Sequence, residues 1–159
     1  MTFDRDRWAG PALSLLRIVA AILFLEHGTA KLLGFPGLPA GMPMPAAMSL
    51  PWIAGAIELI AGLLLLVGLL SRPAAFIASG EMAIGYWMVH APQSTFPAVN
   101  GGDAAILFSF IWLLIAAAGP GPWSVDASLF GDRNRARVER REDRREGSDR
   151  RAGAESDTI

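Results

Sequence analysis

WIAGAIELIAGLLLLVGLL, Trp52–Leu70, carries one charged residue, Glu58, in 19 positions. A helix on the surface of a soluble protein alternates an apolar stripe with a polar face. This stretch has no polar face. Crossing a bilayer as a helix takes roughly 20 predominantly apolar residues, and the segment meets that length.

Three further apolar stretches flank it, at about 12–33, 72–89 and 103–118. Between them lie breaker-rich connections: GFPGLPAGMPMP (34–45), SRP (71–73), APQSTFP (91–97) with NGG (100–102), and GPGP (119–122). Pro and Gly in such clusters mark turns and loops. The expected fold is therefore all-α: a four-helix transmembrane bundle over residues 1–130, with spans at about 12–33, 52–70, 72–89 and 103–118. Residues 131–159 hold nine Arg and eight acidic residues with almost nothing apolar. Such a segment cannot bury enough surface to offset the entropy of folding, and a disordered cytoplasmic tail is expected.

Arg5, Arg7, Arg72 and the Arg-rich tail fall on one side of a four-span chain. The longer connections 34–51 and 90–103 contain no Lys or Arg. The positive-inside bias places both termini in the cytoplasm of a multi-pass inner-membrane protein. Trp8, Trp52, Trp87 and Trp123 lie near segment ends, where interfacial aromatics collect. The start of the chain shows no convincing signal-peptidase site, so the first apolar segment is expected to stay.

The chain has no cysteine, which excludes disulfides, thiol catalysis, Cys-ligated zinc, iron–sulfur clusters and covalent haem. The net charge of −1 gives no reason to expect nucleic acid as a partner. No metal set stands out. Haem ligation by His27 and His90 needs two helix faces to converge and is disfavoured.

Arg17, Glu26, His27, Glu58 and Glu81 all fall within the expected spans. Each would cost on the order of 3 kcal/mol at the bilayer centre, so they are expected to face one another as an intramembrane polar network. Glu58 lies between Gly55 and Gly62, Glu81 between Ala78 and Gly85, and Arg17 between Ser14 and Ala21. Small residues on a stripe permit close helix approach. At a rise of about 1.5 Å per residue, Arg17 lies about 8 Å and Glu81 about 12 Å from the inner end; Glu58 lies about 18 Å and His27 about 22 Å from it. These depths predict that Arg17 pairs with Glu81 and that Glu58 reaches toward His27. Glu26, about 100° around the helix from His27, should turn elsewhere. Lys31, His90 and Asp103 are expected together at the outer mouth, with Asp103 also able to cap the fourth helix. Glu58 and His27 are the candidates for proton-transfer chemistry.

Arg17, the His27-Gly28-x-x-Lys31 segment, IELIAGLLLLVGLLSRPAA, VHAPQSTFPAVNGGDAAILF and AAAGPGPWSVDASL occur in that order. Together they resemble the DoxX family of small bacterial membrane proteins over about residues 13–129. The resemblance implies a four-helix membrane protein linked to redox metabolism, in oxidative stress or in detoxification. It implies a quinone or another small lipophilic molecule bound between the helices, with Glu58 and His27 exchanging protons near it. It also implies a soluble or membrane-bound redox partner, since a chain without cysteine or nucleotide fingerprint is not expected to be a complete oxidoreductase. A small-molecule or ion transporter using the same polar column and a non-catalytic membrane scaffold are the alternatives. A homo-oligomer is compatible with either.

Overall fold

A computed structural model of the protein describes the backbone of residues 5–131 and the side chains of 8–131. The N-terminal arginines Arg5 and Arg7 as side chains, and the expected tail past Gly131, lie outside those descriptions. Four long helices dominate. They are α1 (Arg5–Leu33), α2 (Leu50–Val67), α3 (Ser71–Gly85) and α5 (Asp103–Ala118); the short α4 (Pro97–Asn100) precedes the last. No strand occurs among the described residues. A further helical stretch starts at 125 and runs through 131. α1 packs along α2 and α3 along α5, and the two pairs meet through α2–α3 and α1–α5 contacts.

The ends of the helices follow local chemistry. Ser49 caps α2, its hydroxyl accepting from the Trp52 amide at 3.4 Å, and Pro51 sits in the first turn. α2 stops at Val67, three residues before the end of its apolar run, because Gly68 adopts a left-handed conformation with φ 75°. The Gly68 and Leu69 amides then both donate to the Leu64 carbonyl at 2.9 Å, closing the last turn. α3 gives way to a π-helical turn, Tyr86–His90, so the expected third segment is one α-helix and one widened turn. α1 starts at Arg5, seven residues before the expected boundary at 12, with Arg5, Asp6 and Arg7 making up its polar start.

Two stretches, Trp8–Leu33 with 26 residues and Leu50–Val67 with 18, are long and apolar enough to cross a membrane. What is buried and what is exposed reverses the usual order. The core is made of small residues (Ala20, Ala21, Ala61, Ala74, Ala75 and Ala78) with a few large ones, Phe24, Leu65, Trp112 and Ile115. Arg17 and Glu58 are also fully buried. Outside stand Ile22, Ile60, Leu63, Phe76, Ile84, Leu107 and Phe110, each exposed. In water an apolar surface of this extent would drive association.

Candidate functional site: two polar layers in one helical core

One end of the core is built around Arg17. Its guanidinium donates to the carbonyls of Leu65 and Leu66, in the last turn of α2. It also donates to Pro120 at 3.0 Å and to Trp123, in the chain after α5. The last carbonyls of a helix have no partner within it, and Arg17 supplies one. The same logic recurs twice nearby. Arg72 donates to the Ala116 carbonyl at 2.8 Å and to that of Ala117 at 2.7 Å, closing α5 with a cation at the negative end of its dipole. The Asp126 carboxylate accepts from the Leu70 amide at 2.9 Å and the Ser71 amide at 2.8 Å, capping α3 from a distant part of the chain. Ser14 joins this layer by accepting from the Trp123 amide at 3.1 Å. Gly68 is required here twice over: φ is positive, and a Cβ would lie 2.4 Å from that of Ser124 and 3.1 Å from the Arg17 guanidinium carbon.

The expected Arg17–Glu81 pair is therefore not formed. Depth was a poor guide because it compared side chains only with one another. The strongest acceptors near Arg17 are the open carbonyls at the end of α2, which a charge ladder does not count.

The second layer lies nearer the other end of the same helices. Lys31 Nζ and Glu58 Oε1 are 2.6 Å apart, with the Glu58 side chain fully buried and that of Lys31 24% exposed. This is the one ion pair among the described residues. Three glycines bring it about. A Cβ on Gly28 would fall 2.7 Å from the Leu59 amide nitrogen, and one on Gly55 would fall 2.8 Å from Lys31 Cβ. One on Gly62 would fall 2.8 Å from Leu25 Cγ. The Gly55–Glu58–Gly62 stripe thus lies directly on α1, as its small residues predict, and this contact carries Lys31 over Glu58.

Glu81, from α3, lies within electrostatic reach of both Glu58 and Lys31. The layer holds one lysine side chain against two glutamates. Glu58 Oε2 and Glu81 Oε2 are buried without a hydrogen-bond partner, as is the indole nitrogen of Trp112. Aromatic rings stand alongside. Phe24 packs against Phe108 at 5.7 Å and edge-on against Trp112 at 5.4 Å, and Phe108 stacks on Trp112 at 6.2 Å. Buried polar atoms in folded proteins nearly always have partners. Three are left without one here: a carboxyl oxygen each of Glu58 and Glu81, and the indole nitrogen of Trp112 in the aromatic cluster.

The other expected site residues fall differently. His27 does not pair directly with Glu58; Lys31, one turn on and with a longer reach, takes that place. The His27 ring is exposed, with Nδ1 2.8 Å from the Leu23 carbonyl and its edge toward Phe108 at 6.0 Å. It stays within electrostatic reach of Glu58. Glu26 is exposed and outside the network, because the face of α1 that meets α2 runs through Leu25, Gly28 and Lys31. The outer mouth of Lys31, His90 and Asp103 does not assemble. Lys31 turns inward to Glu58, while His90 Nδ1 is 2.9 Å from the Asn100 carbonyl and the ring stacks on Tyr86. Asp103 is exposed in the first turn of α5, whose cap position is Gly102 with no side-chain bond. Sequence reasoning missed Trp112, although it is the one tryptophan remote from a segment end.

These residues sit largely in a region with known counterparts. The DoxX family profile matches residues 12–91, which include Arg17, Lys31, Glu58 and Glu81. A Haemophilus influenzae protein of uncharacterised function is 40% identical over 121 residues, 74% of this chain and 90% of that protein. The chain belongs to the DoxX family. Within this DoxX protein's neighbourhood, the inner membrane protein YphA of Escherichia coli is 33% identical over 132 residues, 74% of this chain and 91% of its own. An uncharacterised membrane protein of Mycobacterium tuberculosis is 29% identical over 144 residues, covering 75% of this chain and 82% of its own. No solved structure matches. The family, its membrane-named relatives and the inverted surface agree on a helical membrane protein.

Proposed function

We propose that this DoxX protein is a four-helix transmembrane bundle of the bacterial inner membrane, with both termini cytoplasmic. It binds a small lipophilic, quinone-like molecule beside Lys31, Glu58 and Glu81 and supports a separate redox partner. The observation that carries the reading is the fully buried Glu58 with one oxygen paired to Lys31 and the other unpartnered. A buried carboxylate oxygen wants a donor. Glu81 repeats the demand, and Trp112 offers a donor of its own. Phe24 and Phe108 supply flat apolar surface on which a ring can lie.

Lys31 keeps a quarter of its surface open, which gives this layer access from its own end of the bundle. At the opposite end Arg17, Arg72 and Asp126 tie the helix termini together. That seal favours binding from one side over conduction through the bundle, and so favours this reading over a transporter. In the bound state Glu58 and Glu81 would accept, hold or return protons at the ligand's oxygens, and Lys31 would keep the local charge low. His27, on the rim, is placed to exchange protons with solvent.

Titration of the detergent-purified protein with a short-chain quinone tests this through tryptophan fluorescence. Saturable quenching is expected, much reduced in Trp112→Phe although four other tryptophans remain. Quenching that does not saturate, or that Trp112→Phe leaves intact, would count against the site.

A further inference from the structure

α1 carries one carboxyl group that neither polar layer uses. Glu26 is exposed, and its side chain has no hydrogen-bond or ion-pair partner among the described residues. Its neighbours fix its height in the bundle. A Cβ on Gly28 would lie 2.7 Å from the Leu59 amide nitrogen, and one on Gly62 would lie 2.8 Å from Leu25 Cγ. Glu26 thus stands level with residues 59–62 of α2, which runs from 50 to 67. Toward α5, Phe24 meets Trp112 at 5.4 Å and His27 meets Phe108 at 6.0 Å. Those partners lie about the middle of α5, which runs from 103 to 118. Glu26 is therefore near mid-height, on the surface, inside the Trp8–Leu33 stretch that is long and apolar enough to cross a membrane. A charge facing lipid at that depth costs on the order of 3 kcal/mol.

The face of α1 around Glu26 has the form of a helix-pairing seam. Leu15, Val19, Ile22, Glu26 and Leu33 are exposed, and Thr29 is partly so. Their numbers advance in alternating steps of four and three, the heptad spacing along which helices pair. Any outward helix face recurs in roughly this way, and lipid covers its apolar positions well. Lipid does not cover a carboxyl group. A single polar residue in an otherwise apolar seam sets register and partner number, and polar side chains act as glue between membrane helices where apolar ones give little drive to associate.

We propose that two copies of this chain pair through this face of α1, with Glu26 against Glu26 of the partner subunit. All copies insert in one sense, so the two-fold axis runs along the membrane normal. Equal residues then meet at equal depth, as an isologous interface requires. With a proton on one of them, the two carboxyl groups hydrogen-bond to each other, and each removes the other from lipid. This face of α1 is turned away from α2. The pairing is therefore independent of the ligand layer and of its proposed occupant.

The chain has no cysteine, so single introduced thiols report on the interface directly. The full-length protein is reconstituted in proteoliposomes at a high lipid-to-protein ratio and oxidised with copper phenanthroline. A disulfide needs Cα atoms within about 7 Å. Val19→Cys and Ile22→Cys, on the seam, should give disulfide-linked dimers. Ile60→Cys and Phe76→Cys, also exposed but on α2 and α3, should give several-fold less. Association read by energy transfer between donor- and acceptor-labelled copies should weaken about tenfold in Glu26→Leu. It should hold in Glu26→Gln, whose amide still donates and accepts. No dimer at the seam positions, equal cross-linking at all four positions, association that Glu26→Leu leaves intact, or a Glu26→Gln variant as weak as Glu26→Leu would each overturn the proposal.

Discussion

The two polar layers of this protein are built from the same ingredients and reach opposite states. Around Arg17 every charged group ends on a backbone partner: a guanidinium on the carbonyls of α2 and the post-α5 chain, Arg72 on the end of α5, Asp126 on the start of α3. Around Glu58 a single ion pair forms and two carboxylate oxygens stay unpartnered. The first layer uses charge to finish helices and so fixes their register. The second leaves charge over. In a low-dielectric core, unpartnered polar atoms are expensive, and the proposed ligand is what would offset that cost at this end.

Substitutions should separate the layers, beginning with the largest effect. Arg17→Leu orphans several carbonyls at once, each worth about 1–3 kcal/mol. Thermal unfolding followed by circular dichroism should show a loss of roughly 4 kcal/mol or outright failure to assemble; a near-wild-type melting curve would remove the structural role assigned to this layer.

Next in size is Lys31→Met, which leaves Glu58 buried beside Glu81 without a counter-charge. Breaking a fully buried pair costs about 3–5 kcal/mol, and the partial exposure of Lys31 brings the expected loss to about 2–3 kcal/mol. The double variant Lys31→Met/Glu58→Gln should recover most of that stability. If the double variant melts as low as Lys31→Met, the pair is not what holds Glu58 in place.

Glu81→Gln comes third. Its stability should stay within about 1 kcal/mol of wild type, as for a substitution that breaks no existing bond, while quinone quenching falls. That split between stability and binding is the signature of spare capacity. Last is Glu26→Gln, outside both layers, for which no change in melting or binding is expected.

The sequence read well wherever packing depends on residue size and hydropathy. The helical segments, the Gly55–Glu58–Gly62 contact stripe and the buried Ser14–Arg17–Ala21 face were legible because small residues at helical spacing have few uses besides close approach. Membership in the DoxX family was legible from an ordered set of motifs. The pairings were not. Arg17 went to carbonyls instead of Glu81, since backbone acceptors at helix ends do not appear as letters. Lys31 displaced His27 at Glu58, because the α1–α2 crossing at Gly28 sets which residue of that face leans inward. The same crossing turns Glu26 out. Trp112 escaped notice because an apolar run hides an indole nitrogen among side chains that need no partner.

The proposed site requires the layer around Glu58 to be completed by a ligand. Native mass spectrometry of the protein released from mild detergent, wild type beside Glu58→Gln, tests this most directly. The wild type should retain a small lipophilic molecule bearing hydrogen-bonding oxygens, and Glu58→Gln should lose it while remaining folded. A wild type that flies with no such adduct, or an adduct equally retained by Glu58→Gln, would contradict the account.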